Sequence, residues 1–282
     1  MGQARGPSIG LALGGGAAKG FAHVPVMEAF DELGVEPTLI AGTSIGSIFG
    51  ACRAGGMAGG EIRSYVVDLF ASRRRLFGRL FSDAVTSWST FLTISSAAVI
   101  SPEKLFEATL PDGLPATFED LAIPLRIVAT DFDSQAEVIL DGGPLIPAIA
   151  ASSCLPGLLH PVRHQGRLLI DGGFVNPTPI DALRGAVDLV VAVDVTGRSA
   201  QPAGRAPTAM DLVVGSTQIA LAEIARLRRM GAPADLLLHP DLSAFESLDF
   251  FKADEILAAC EPLKEQTKRG LDALLARRSP TT

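Results

Sequence analysis

The sequence predicts an α/β domain of three layers, α/β/α, built on a mostly parallel central sheet. Three observations carry that prediction. The chain opens with an apolar run, a glycine loop, a helical pattern, a second apolar run, a second small-residue turn and a second helical pattern, all within about fifty residues, the size of a βαβ unit. Further along, the short apolar runs Leu125 to Thr130 and Glu137 to Leu140 flank the polar turn Asp131 to Ser134, and Ala186 to Val195 and Asp235 to His239 follow after helical patterns. With 48% hydrophobic residues in 282, the chain has ample material for a two-faced core.

Ile9 to Leu13 reads as a short buried strand, and it delivers the chain into Gly14-Gly15-Gly16-Ala17-Ala18-Lys19-Gly20. Strand, glycine loop and helix form the layout of a phosphate cradle. The dinucleotide fingerprint does not fit, because a register from Gly14 ends on Lys19 and a register from Gly15 has Ala17 in third place. A Walker loop needs Gly-Lys-Ser/Thr, which is missing here. The remaining use of such a loop is to hold an anion by backbone N–H groups, and an oxyanion is an anion.

A helical pattern from Phe21 to Leu33 follows, then a turn at Gly34 and the apolar run Thr38 to Ala41. That run ends in Gly42-Thr43-Ser44-Ile45-Gly46, the pattern of a nucleophile elbow. Serine is a usable nucleophile when a sharp strand-to-helix turn exposes its hydroxyl. Glycines two residues to either side let neighbouring backbone pass, and the next helix points its N–H dipoles at developing charge. In a right-handed βαβ unit both loops leave the same edge of the sheet, so the glycine loop and Ser44 are expected to face one crevice.

These two stretches, LALGGGAAKGFAHVPVMEAFDELG and LIAGTSIGSIFGA, resemble the opening of bacterial patatin-like phospholipases, lipid acyl hydrolases that include the catalytic domain of neuropathy target esterase. The resemblance implies a Ser-Asp dyad, with the aspartate in a downstream Asp-Gly-Gly motif. Leu169-Ile170-Asp171-Gly172-Gly173 supplies that motif, and AIAASSCLPGLLHPV before it is also similar to the family. By the match, Ser44 is the nucleophile, Asp171 the base, and the backbone of Gly15, Gly16 and Ala17 lines the oxyanion hole. The family's loop carries a third glycine where this chain has Ala17, and a positive φ there would be costly. The likeness is strong over 9–197 and extends weakly through 208–275, so 9–275 reads as one domain. Expected activity is hydrolysis of carboxylic esters of lipids, without metal or organic cofactor. Two alternatives stand beside it: a non-catalytic lipid-binding or regulatory protein on the same fold, and a Ser-His-Asp esterase in the order Ser44, Asp171, His239.

Glu61 to Phe81 has helical spacing, and its Arg73, Arg74, Arg75 and Arg79 interleave with Leu76, Phe77, Leu80 and Phe81, a candidate face for an anionic membrane surface. The stretch on to Ile100, with Trp88, reads as a cover over the site. Pro102 to Leu110 and Pro144 to Ser153 read as helices, and Asp131 and Asp133 as turn-capping rather than metal-binding carboxylates. Gln201 to Pro207 is a linker, Ala209 to Met230 an amphipathic helix, and Lys252 to Leu275 a last helix. A net charge of −7 argues against a nucleic-acid partner. Cys52, Cys154 and Cys260, odd in number and far apart, predict buried reduced thiols and no metal site. With no signal peptide and no uninterrupted apolar span in view, a cytoplasmic protein is expected; the arginine cluster is a candidate for peripheral membrane contact, the alternative being a core-packing helix with a solvated polar face.

Overall fold

Along the first strand the side chains alternate between two cores. Leu11 and Leu13 enter the larger cluster and Ala12 the smaller, as the two-residue period of a strand requires. The same alternation recurs at Leu39, Ile40 and Ala41 and at Val190, Val191 and Ala192, so the central strands are covered on both faces. The computed structural model describes residues 6–71, 101–156, 159–197 and 209–278. Arg73, Arg74, Arg75, Arg79 and Trp88, and with them the candidate membrane-facing cluster and the cover, lie outside the described residues.

The strands are β1 (Ile9–Leu13), β2 (Leu39–Thr43), β3 (Leu125–Asp131), β4 (Ala136–Leu140), β5 (Val162–His164), β6 (Arg167–Asp171), β7 (Leu189–Val193) and β8 (Leu236–Leu238). They join one sheet in the order β5-β6-β3-β2-β1-β7-β8, with β4 also on β3. β1, β2, β3, β7 and β8 pair in parallel, whereas β4, β5 and β6 bring antiparallel pairings at the β3 end. The helices are α1 (His23–Glu32), α2 (Ile45–Ala54), α3 (Gly59–Phe70), α4 (Pro102–Thr109), α5 (Leu145–Ser152), α6 (Ala209–Gly231), α7 (Ala253–Cys260) and α8 (Pro262–Arg278). The larger core holds Phe21, Met27 and Phe30 from the first helical segment with Phe49, Ile62, Ile149 and Ile256 from helices further along. The smaller core is made of Ala12, Ala41 and Ala192 closed by Ile180, Ala182 and Leu183, and small residues on that face let an irregular segment lie close to the sheet.

Three local departures from the sequence reading have physical causes. The first helix begins as a 3-10 turn over Ala17–Ala22 and becomes α-helical at His23. The last helix is two: Pro262, lacking an N–H, starts α8 and ends continuity with α7. The β5–β6 hairpin has no sequence marker, because its turn places Gln165 (φ 48°) before Gly166 (φ 78°), and glutamine is not a usual residue for that conformation.

The topology brings β2 and β6 end to end. Ile127 and Val128 pair with β2 on one edge and with β4 on the other, and Ala129 to Asp131 pair with β6 and β4 in the same way. β6 therefore occupies the β2 edge of β3, beyond the point where β2 leaves it. Thr43 is opposite Val128 and Asp171 is opposite Ala129, so the residues at the ends of two strands running toward each other meet at consecutive positions of a third.

Candidate active site

Ser44 stands at that seam, between β2 and α2, with φ 54° and ψ −124°. A non-glycine residue with positive φ costs roughly 1–3 kcal/mol, and such strain persists only where the surroundings over-determine it. The two flanking glycines are part of that surrounding. A Cβ on Gly42 would lie 2.5 Å from the Gly46 carbonyl oxygen, and one on Gly46 would lie 2.1 Å from the Leu13 carbonyl oxygen. Ser47 ties the turn from the helix side, its N–H and hydroxyl both donating to the Ser44 carbonyl at 2.8 and 2.6 Å.

The Ser44 hydroxyl donates to Asp171 Oδ2 at 2.7 Å. The other carboxylate oxygen accepts the Gly173 N–H at 2.8 Å, and Thr130 Oγ1 donates to the Asp171 carbonyl at 2.8 Å. Asp171 is 7% exposed. Burial pushes its carboxyl up to about 6, against the opposing pull of the Gly173 N–H and the Ser44 hydroxyl. Gly172 must be bare, since a Cβ there would meet the Val128 carbonyl oxygen at 2.1 Å.

The glycine loop passes beside this pair. Gly15 touches it directly: a Cβ on Gly15 would lie 3.2 Å from the Ser44 Cβ. Its N–H is donated to the Pro177 carbonyl at 2.8 Å, and that of Gly14 to Val193 at 2.9 Å. Gly15 thus contributes space rather than a donor. Among the described residues no protein acceptor takes the Gly16 or Ala17 N–H. Ala17 adopts φ 51°, a left-handed conformation that glycine would adopt freely and that is held here with a side chain in place.

His239, the histidine of the Ser-His-Asp alternative, stands away from Ser44 and Asp171. Its Nδ1 lies 3.0 Å from the Asp194 carbonyl oxygen and 3.6 Å from the Asp194 carboxylate, which Arg229 also engages. His239 lines a cavity of about 350 Å³ with Lys19, Thr196 and Asp241; Ser44 and Asp171 do not border it. His23 is fully buried under the glycine loop, with Nε2 2.8 Å from the Gly14 carbonyl oxygen. The Asp131 carboxylate caps its own turn by accepting the Asp133 N–H at 3.1 Å, as expected of a turn aspartate. The three cysteines are free and buried, with thiols pushed up to about 12 by burial.

Ser152, the last residue of α5, was not singled out from the sequence. It is fully buried, accepts the Ser44 N–H at 2.8 Å and donates to the Val128 carbonyl at 2.6 Å. Its signals were a hydroxyl at the end of an otherwise apolar helix and its place within the AIAASSCLPGLLHPV stretch. No helix among the described residues is long and apolar enough to cross a membrane.

Comparison with known proteins adds an independent observation. A family profile described as patatin-like phospholipase matches residues 11–184. An uncharacterized NTE family protein of Mycobacterium tuberculosis is 36% identical over 198 residues, 70% of this chain and 51% of that protein. A lysophospholipase of Pyricularia oryzae is 31% identical over 191 residues, covering 67% of this chain and 12% of the relative. The chain spans about half the length, or much less, of the curated relatives it matches. Among solved structures, VipD from Legionella pneumophila aligns with 94% of this chain and 67% of its own at a TM-score of 0.49 and 13% identity.

Proposed function

The chain belongs to the patatin-like phospholipase family, and from that premise we propose that it is a serine hydrolase of lipid carboxylic esters working through Ser44 and Asp171. The observation that carries the reading is the 2.7 Å hydrogen bond from the Ser44 hydroxyl to Asp171 Oδ2, made at a strained elbow by a carboxylate removed from water. A carboxylate near 4 is a weak base for a hydroxyl proton; one at about 6 is stronger, and direct contact needs no histidine relay.

Asp171 takes the Ser44 proton as Oγ attacks the ester carbonyl. The oxyanion is received by the Gly16 and Ala17 N–H groups, with the N-terminus of α2 adding its dipole. Collapse expels the alcohol, which leaves with the proton held by Asp171, and an acyl-Ser44 ester remains. Asp171 then deprotonates a water that attacks this ester, and the fatty acid departs as Ser44 recovers its proton. The lysophospholipase name of a 31% identical relative supports monoacyl phospholipids as the first substrates to try.

The test is covalent labelling by a fluorophosphonate together with hydrolysis of a chromogenic acyl ester. Wild type is expected to label and turn over, Ser44→Ala to do neither, and Asp171→Asn to lose about 10³-fold or more in kcat. Wild type that neither labels nor hydrolyses any ester in a lipid panel would favour the lipid-binding alternative. His239 stands with Asp194, so His239→Ala is expected to retain turnover.

A further inference from the structure

The hydrogen-bond ladder between β2 and β3 stops one rung early, and a hydroxyl fills the gap. In this parallel pair Ile40 is opposite Leu125 and gives its N–H to the preceding carbonyl, Pro124, at 3.0 Å. Alternate residues repeat that step in a parallel ladder. Continuing the register from Thr43 opposite Val128, Ser44 falls opposite Ala129, and its N–H is next in line for the Val128 carbonyl. That bond is not made. The Ser152 hydroxyl lies between the two groups, accepting from Ser44 at 2.8 Å and donating to Val128 at 2.6 Å.

We propose that Ser152 is the positioning residue of the elbow: its hydroxyl, inserted into the last rung of the ladder, holds the Ser44 amide off the sheet and thereby sets the backbone that aims Oγ at Asp171. The amide nitrogen is the pivot of φ, so fixing its hydrogen bond fixes the plane from which the positive φ departs. Without the hydroxyl the acceptor next in register for the Ser44 N–H is the Val128 carbonyl, and making that bond continues the strand. A continued strand has negative φ and turns the side chain away from the β6 end. Two features fit an inserted link rather than a casual contact. Ser152 has no exposed surface, so both its bonds are made away from competing water. Gly172 crosses the same Val128 carbonyl from the β6 side with no room for a Cβ, so the seam is closed on its other flank.

The consequence for catalysis rests on Ser44 being the nucleophile, whereas the backbone consequence does not, and the experiment separates them. Ser152→Ala and the near-isosteric Ser152→Cys, a poor hydrogen-bonding replacement, are compared with Ser152→Thr, which keeps the hydroxyl. For Ala and Cys we expect kcat roughly 10- to 100-fold lower with KM within about twofold, and for Thr a rate within a few-fold of wild type. The pH midpoint of the residual activity should rise, because the Ser44 hydroxyl that helps hold the Asp171 carboxyl down has moved away; the neighbouring Cys154 thiol, pushed up to about 12, stays neutral through that window. Lower melting temperature with unchanged kcat and unchanged midpoint would mean that Ser152 only fills space. If wild type proves inactive, crystal structures of wild type and the Cys variant decide: a direct Ser44 N–H to Val128 bond in the variant supports the inserted link, and an unmoved Ser44 backbone overturns it.

Discussion

His23 donates its Nε2 hydrogen to the Gly14 carbonyl, 2.8 Å away, from a ring with no exposed surface. A carbonyl oxygen only accepts, so the proton is on Nε2. Burial pushes the ring down to about 4, although the Gly14 bond favours the charged form, and Nδ1 has no hydrogen-bond partner among the described residues. A neutral imidazole therefore pins the glycine loop from below, at the residue where β1 ends and the loop begins. His23→Ala is expected to cost about 2–4 kcal/mol of stability, through the cavity and an orphaned carbonyl. It should also lower kcat roughly tenfold as the loop loosens. His23→Gln, whose amide N–H2 can reach the same oxygen, should recover part of both. Chemical denaturation and ester turnover on the two variants check this, and equal turnover in wild type and His23→Ala would show that the loop holds its shape unaided.

Activity should depend on pH through Asp171. Its carboxyl, pushed up to about 6, must be ionised to accept the Ser44 proton, so kcat/KM should rise tenfold per pH unit below about 6 and level off above 7. The stability effect has the opposite sense. A folded value above the unfolded one near 4 favours the fold at low pH, and that contribution is lost as pH rises through about 6. His23, held down to about 4, contributes stability that is present above 6.5 and lost as pH falls toward 4. Between pH 6 and 4 the two terms oppose each other. Asp171→Asn, expected to lose about 10³-fold or more in kcat, should therefore be more stable than wild type at pH 8 by about 2–3 kcal/mol, and more steeply destabilised on acidification. Denaturation midpoints at pH 4.5 and 8 for both proteins test the sign.

Ala17 takes φ 51° with its methyl group in place. A left-handed alanine costs about 1–2 kcal/mol, and replacing it by glycine returns part of that as unfolded-state entropy. Ala17→Gly should therefore leave stability unchanged or raise it by up to ~1 kcal/mol. Because the backbone already has the conformation glycine would adopt, turnover should change less than threefold. A gain of tenfold or more would mean that the methyl group distorts the oxyanion hole.

Both ends of the Ser44–Asp171 hydrogen bond were legible in the sequence, because each is announced by glycines with a steric duty: Gly42 and Gly46 around Ser44, and Gly172 after Asp171. The parallel strands were legible too, as apolar runs buried on both faces. What could not be read is whatever depends on register. The β5–β6 hairpin that turns Asp171 back toward Ser44 has Gln165 at its positive-φ position. The Gly15 amide is spent on Pro177, more than a hundred residues away, and the Ser152 hydroxyl acts on a rung whose two halves come from β2 and β3. Composition carries no trace of such meetings. Ala17 illustrates the converse: the departure from glycine was visible, but that the backbone keeps its positive φ was not.

The helices behind the site are tied by an ion network whose loss should affect stability and leave chemistry alone. Glu28 of α1 accepts two hydrogen bonds from Arg63 of α3, at 2.5 and 2.8 Å, and pairs with Lys264 of α8 at 2.8 Å. Burial alone would raise the Glu28 carboxyl, but Arg63 and Lys264 outweigh it and hold it below its usual range. A depressed carboxylate contributes stability that is present above its unfolded value and lost as pH falls through the folded one. The bidentate geometry and a side chain only 10% exposed set this pair apart from an ordinary surface bridge. Glu28→Gln leaves two cations facing a neutral amide, and about 1–3 kcal/mol should be lost. The loss should shrink as the pH is lowered, because wild type then gives up the same interaction. Nothing in this network touches Ser44 or Asp171, so kcat and the pH midpoint of turnover should stay at wild-type values. A fall in kcat at full folding would show that the α1–α3–α8 packing is transmitted to the glycine loop through His23, at the first position of α1.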